Sequence, residues 1–208
     1  MFHNSFPNCK LTTDFEAALK IEKEHAGHIM YFAKLENDHE YFAHFEWFKP
    51  YVTLMHLRFD GSFGFPGGLF DKNESPEEAI FRELKEEQGI DEEELRPTRA
   101  NYLYSSDKED LVAHFYTKEI SNNLFMKILK ASPNAQHFGT EVFGTIQVPL
   151  YQYKSDQGFP RFLKNEMIGN CRDQLLNGLH HHGILEKNLF VKLCSITNQE
   201  KIQVIFNN

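Results

Sequence analysis

Gly68-x5-Glu74-x7-Arg82-Glu83-Leu84-x-Glu86-Glu87-x-Gly89-Ile90 is the stretch on which the reading of this 208-residue chain turns. Its second half predicts a helix. Ser75 is a good N-cap, Pro76 suits the first helical position, and Glu78 sits where a capping box wants its acid. From Ala79 to Gln88 the residues tolerate or favour helix, and Gly89 supplies a left-handed residue to end it, so the helix should run from Pro76 to about Gln88. At about 100° per residue, Glu83, Glu86 and Glu87 fall within an arc of roughly 100°, while Ile80, Phe81 and Leu84 point elsewhere and can pack against a sheet.

Like charges three and four residues apart repel, more strongly when partly buried, so a chain that gathers them needs a compensating cation. A hard divalent metal with oxygen ligands is the natural one. A Glu- and Lys-rich helix taken alone is more often a solvated face. The loop Gly64-Phe65-Pro66-Gly67-Gly68 decides against that here, because it lets the backbone run close to a ligand and present carbonyls or amides beside the acids.

The segment resembles a Nudix box, the signature of hydrolases acting on a nucleoside diphosphate linked to another moiety, and it matches at every signature position. The resemblance continues through His25-Ala26-Gly27-His28, Met55-His56-Leu57-Arg58-Phe59-Asp60-Gly61, Val112-Ala113-His114-Phe115-Tyr116, Glu141-Val142, Val148-Pro149-Leu150-Tyr151 and Ile168-Gly169. Together these are similar to the snoRNA-decapping, inosine-diphosphatase branch, from roughly Leu11 to Leu185. The resemblance implies an α/β fold, a Nudix-type α/β/α sandwich with a mixed β-sheet, as one domain over residues 1–208. It also implies a pyrophosphohydrolase that uses Mg²⁺ or Mn²⁺, removes 5′ caps from snoRNA or mRNA, and hydrolyses purine nucleoside diphosphates such as (d)IDP. A homodimer working in the nucleus (nucleolus and nucleoplasm) and cytoplasm is implied as well. ADP-ribose, free or on protein, is the competing substrate, and a non-catalytic RNA- or protein-binding module is the competing class.

Glu83 and Glu87, one helical turn apart, are the first choice as metal ligands, with Glu86 as a third ligand or as acceptor of a proton from the attacking water. By resemblance, the carbonyl of Gly67 completes the inner shell, and Glu141 is another metal ligand or the general base; its own context would make it an exposed strand-edge acid. The catalytic set is therefore Glu86, Glu87 and Glu141, and the metal set Gly67, Glu83, Glu87 and Glu141. Arg82 is read as pairing with Glu74 to hold the loop. The same carry-over makes His28, Arg58, Phe65 and Gln174 nucleotide contacts: a fork-shaped cation for phosphate at Arg58, a stacking ring at Phe65, and hydrogen bonds to a ring edge from His28 and Gln174. Without it, each has a plainer role in packing or on the surface. One departure concerns the base: where relatives place a second base-reading His after a Ser-Ser pair, Ser105-Ser106 is followed by Asp107, which puts the inosine preference in doubt and suits a guanine amino edge.

Composition agrees with one core, since 208 residues with 41% hydrophobic content and 20 Phe give ample material to bury. Neither a membrane span nor a signal peptide is expected, because charged residues and His break the apolar runs well before the ~20 residues a bilayer needs. Cys9, Cys171 and Cys194, odd in number and widely spaced, suggest reduced thiols in a cytosolic or nuclear compartment. A net charge of -8 gives no global attraction for a polyanion, which leaves local capture of a 5′ end or a nucleotide, aided by bound cations.

The remaining periodicities predict helices over about Asp14–Glu24, Asn122–Lys130 and most of Phe162–His181. Strands are expected over Gly27–Ala33, Tyr51–Phe59, Ala100–Tyr104, Leu111–Thr117 and Val142–Val148, with short β-rich pieces at Leu189–Leu193 and Ile202–Phe206. The aromatics from Tyr41 to Trp47, in the insert Lys34–Pro50, suit core packing somewhat better than an interface. His180-His181-His182 reads as a solvated run at a helix end rather than a metal site.

Overall fold

The computed structural model describes residues 2–6, 8–35 and 44–195. In chain order the elements are β1 (Lys10–Thr12), α1 (Phe15–Leu19), β2 (Glu24–Lys34), β3 (Trp47–Phe48), β4 (Tyr51–Arg58), β5 (Phe63–Gly64), β6 (Gly67–Leu69), α2 (Pro76–Gln88), β7 (Tyr102–Lys108), β8 (Leu111–Glu119), α3 (Asn122–Ala131), β9 (Val142–Gln147), β10 (Tyr151–Gln152), α4 (Phe159–Phe162) and α5 (Cys171–His181). Residues 187–195 are also helical.

β2 organises the sheet, because its three pairings divide its two edges. One edge is taken by β8, parallel, from Glu24↔Leu111 to Phe32↔Glu119. The other edge is shared: β6 pairs antiparallel along Ala26–His28, and β4 along Phe32–Lys34. β4 carries β5 and β9, both antiparallel, while β8 carries β7 and then β1. With one parallel pair among antiparallel neighbours, the sheet is mixed, as expected. Where β4 and β6 part company on the edge of β2, the functional loop enters.

Period-2 alternation along the central strands puts apolar side chains on both faces, which only two covering layers can bury. Ile29, Tyr31, Ala33, Val52, Leu54 and Tyr116 meet Phe15 of α1, Ile80, Phe81 and Leu84 of α2, and Leu124, Phe125 and Ile128 of α3. Met30, Phe32, Met55 and Phe115 pack on the other face against Phe159 and Phe162 of α4, and Leu175, Leu176 and Leu179 of α5. Each large apolar side chain shut from water in this way contributes roughly 1.5–3 kcal/mol, which fixes α2 on the sheet by its greasy face. The result is the α/β/α sandwich.

Several boundaries differ from the sequence expectation. α1 ends at Leu19, because the chain turns through residues 20–23 to enter β2, whose pairing with β8 begins at Glu24. Strand β7 starts at Tyr102 and runs to Lys108, after a short 3-10 turn at Arg99–Asn101. α5 begins only at Cys171, after the short α4 (Phe159–Phe162) and an irregular stretch whose last residues, Ile168, Gly169 and Asn170, help to line a cavity described below. Leu189–Leu193 is helical, with Phe190 and Leu193 buried: the β-branched residue in this piece, Val191, is exposed, so tertiary packing of the other face decides its conformation. Ile202–Phe206 lies outside the described residues, as does much of the aromatic insert. Trp47, at its end, packs edge-on to Phe159 at 6.1 Å and donates to Gln152 at 2.9 Å. His180 and His182 are not simply solvated: they bond to the Leu185 carbonyl and the Thr117 hydroxyl, each at 2.8 Å.

All three cysteines are buried and unpaired with one another. Among the described residues, no helix is long and apolar enough to cross a membrane.

Behind the loop that follows β6 lies a directional chain of buried hydrogen bonds. His25 Nε2 lies 3.0 Å from the Ile21 carbonyl, which can only accept, so that nitrogen carries the hydrogen and His25 Nδ1 accepts from His114 Nε2 at 2.8 Å. His114 Nδ1 in turn accepts from Ser105 Oγ at 2.8 Å. Burial holds the His114 pKa down at about 4, against about 6.5 for an exposed histidine. Between those values the unfolded chain binds a proton that the native state refuses, so stability rises with pH across that window and is lost as pH falls from 6.5 toward 4. His114 alone should contribute up to roughly 3 kcal/mol of this loss. Urea unfolding of wild type and His114→Gln over pH 4–7 checks it: the variant's stability should depend less steeply on pH, and parallel profiles would refute the assignment.

Candidate active site

The helix predicted over 76–88 forms as its caps direct. Ser75 Oγ accepts from the Glu78 amide at 3.3 Å, Glu78 Oε2 accepts from the Ser75 amide at 2.9 Å, and Gly89 closes the helix at φ 65°. Ile80 and Leu84 are fully buried, so Glu83 and Glu86 are turned toward the loop between β6 and the helix.

Arg82 binds that loop to the acids. Its Nε and Nη2 donate to the two oxygens of Glu74, each at 3.0 Å, and Nη2 also donates to the Leu69 carbonyl at 3.0 Å. Nη1 reaches Glu83 at 2.8 Å and Glu86 at 3.2 Å. The hydrogen bonds from Arg82 to Glu74 and then Glu83 raise the Arg82 pKa further, and the guanidinium holds the Glu74 carboxyl below its usual range. The pairing read from the sequence therefore forms, and Arg82 serves the other acids too. Burial nevertheless pushes the Glu83 carboxyl upward, a sign that one guanidinium does not fully compensate the cluster.

Two glycines make the close approach possible. Gly67 adopts φ 131°, and a Cβ there would run into the Gly27 carbonyl; a Cβ on Gly68 would collide with the Glu83 carboxylate. Glu87, 5% exposed, accepts from the Gly67 amide at 2.9 Å and lies 3.7 Å from His56 Nδ1. His56 touches the Gln88 side chain in turn.

Of the four metal candidates and three catalytic candidates, the fold gathers them in two steps. Glu83, Glu86 and His137 each offer a ligand atom within 4.8 Å of the others. Glu87 sits beside them, bonded to Gly67, and Glu141 stands 3.5 Å from His137 on the turn before β9. Two carboxylates and an imidazole nitrogen are donors that suit a divalent cation, and His137 Nδ1 is shut from solvent with no hydrogen-bond partner. The residues therefore fit such an ion. His137 escaped the sequence reading, because a lone His four residues before Glu141 carries no signal until the chain brings it back to α2.

The four expected nucleotide contacts converge. His28, Arg58, Phe65 and Gln174 line one cavity of about 260 Å³, together with Gly67 and Gly68. Burial holds the His28 pKa at about 4, and its Nδ1 is enclosed without a partner. Phe65 is 4% exposed and packs on Phe115 at 5.4 Å, so it builds the core as well as the wall. Gln174 is held through its neighbours on α5: Asp173 accepts from the Ser5 amide and hydroxyl at 2.7 and 2.9 Å, and Asn177 accepts from the His3 amide at 2.7 Å. Asp107 is not among the residues that line this cavity; its carboxylate pairs with Lys23 at 2.5 Å.

A family model described as "Nudt16-like: U8 snoRNA-decapping enzyme-like" matches residues 25–185. The chain belongs to this family. It is a Nudix hydrolase, acting on phosphoanhydride bonds. Members similar to it include the U8 snoRNA-decapping enzyme of Bos taurus, 40% identical over 147 residues, covering 69% of this chain and 75% of the relative. The enzyme of that name from Homalodisca vitripennis is 35% identical, covering 73% and 85%. The Tudor-interacting repair regulator protein of Homo sapiens is 34% identical, covering 73% and 72%. The match starts at His25 and ends at Leu185, so it takes in β2, the loop, α2 and the cavity wall of this Nudt16-like chain.

Proposed function

We propose that this Nudix hydrolase is a divalent-metal-dependent pyrophosphohydrolase that removes 5′ caps from RNA, snoRNA or mRNA, and hydrolyses purine nucleoside diphosphates such as (d)IDP. One observation carries the reading: Gly67 and Gly68 wall the nucleotide-sized cavity while touching Glu87 and Glu83, so a base held inside extends its phosphates toward the acids. The bovine and insect relatives are named as decapping enzymes, which supports RNA caps as the substrate class. A bound Mg²⁺ or Mn²⁺ supplies Lewis-acid stabilisation and an activated water.

The chain's own residues do the rest. His28, neutral at pH 7, accepts a hydrogen bond from the ring edge at its enclosed Nδ1. Arg58, the one charged side chain on the cavity wall among the described residues, turns from Asp60, 3.4 Å away, to fork onto phosphate. Phe65 and Gln174 fix the base plane and its edge. Glu86 or Glu141, both reached by solvent, takes the proton from the attacking water. The proposal extends to a homodimer working in the nucleus and cytoplasm.

The test is product release from cap-labelled RNA, inosine diphosphate and ADP-ribose under one metal condition, with and without chelator. Chelator-sensitive release from the first two, faster than from ADP-ribose, is expected. Preference for ADP-ribose would reassign the substrate. Release from none would favour the binding-module reading that the human relative's name, Tudor-interacting, brings with it.

A further inference from the structure

His137 lies in the connection between α3 and β9, about fifty residues beyond α2, yet its position is fixed from both sides. Its amide donates to the Glu86 carbonyl at 2.9 Å, and its own carbonyl accepts from the amides of Glu141 at 3.0 Å and Val142 at 3.2 Å. The imidazole is therefore held against the acid face of α2. A ring nitrogen lies within 4.8 Å of carboxylate oxygens of both Glu83 and Glu86. Nδ1 is closed to solvent and has no hydrogen-bond partner; Glu141 Oε2, at 3.5 Å, is too far to be one. An enclosed imidazole nitrogen without a hydrogen-bond partner costs free energy unless something meets it, and beside these carboxylates a metal ion can meet ring nitrogen and oxygen together.

We propose that His137 is a nitrogen ligand of the divalent cation held by Glu83 and Glu86, and that it biases the site toward first-row transition ions such as Mn²⁺ over Mg²⁺. Mg²⁺ is bound through oxygen and keeps its waters, so it gains little from an imidazole, whereas transition ions accept one readily. The inference rests on the reading above that a divalent cation works at these acids, and it adds a ligand from outside the box helix.

Pulsed electron paramagnetic resonance on Mn²⁺ bound to the full chain, without nucleotide, reads the ligand directly. Modulation from a directly bound imidazole ¹⁴N is expected in wild type and should vanish in His137→Asn. Calorimetry should show Mn²⁺ affinity falling about tenfold or more in that variant, and Mg²⁺ affinity by less than about threefold. The wild-type spectrum needs no variant to fold. Mn²⁺ bound without nitrogen modulation overturns the inference and leaves the proposed hydrolysis standing. Modulation that persists in His137→Asn overturns it as well, pointing to His56 beside Glu87. No Mn²⁺ binding by wild type removes both the ligand and the metal dependence.

Discussion

Glu83→Gln is expected to lower kcat by about three orders of magnitude while the protein melts within a few degrees of wild type. The exchange keeps the side chain's shape but removes the negative charge facing Glu86 and His137. Folding should tolerate it, because burial already disfavours the charged form of Glu83, so a neutral amide loses the charge-assisted bond from Arg82 yet escapes the desolvation cost of the carboxylate. Glu87→Gln should behave alike in turnover, its amide oxygen still able to accept from Gly67. Steady-state kinetics beside thermal melts make the comparison. A Glu83→Gln enzyme with near-wild-type kcat would mean that the acids of α2 do not carry the reaction.

Arg82→Ala should lower stability by about 2–3 kcal/mol, or a fall of roughly 5–10 °C in Tm. Arg82 ties Glu74, Glu83, Glu86 and the Leu69 carbonyl together, with its side chain 28% exposed and Glu83 and Glu74 at 13% and 14%. Its removal leaves three carboxylates without their cation and frees the loop that carries Gly68. Turnover should fall with stability, because the loop sets where Glu83 points. Arg82→Lys keeps the charge but not the fork, and should recover only part of either loss. Divalent cations should raise the Tm of Arg82→Ala more than that of wild type, since they replace the missing positive charge. An alanine variant that melts like wild type would show that the acids do not strain against one another.

The capping box, the Pro at the first helical position and the left-handed Gly89 are local devices: each acts within four residues, so α2 was legible from the sequence, including which face would be acid. Arg82 with Glu74 was legible for the same reason. The long strands were legible through their burial patterns, but β1, β3, β5, β6 and β10 span only two or three residues, too short for any periodicity. Leu189–Leu193, expected as a short β-rich piece, is helical, because what fixes it is burial of Phe190 and Leu193 rather than propensity.

The sequence by itself determined the box helix and its glycine loop, and through likeness to a family it raised the expectation of four nucleotide contacts. Only the tertiary structure decided that His28, Arg58, Phe65 and Gln174, spread over nearly 150 positions, share one cavity, that Asp107 turns away to Lys23, and that His137 comes to rest against Glu86. The physical reason is range. Caps and helical faces are written in neighbouring residues, whereas a ligand or a cavity wall supplied from a distant loop depends on strand pairing and on which faces of the sheet the helices must cover.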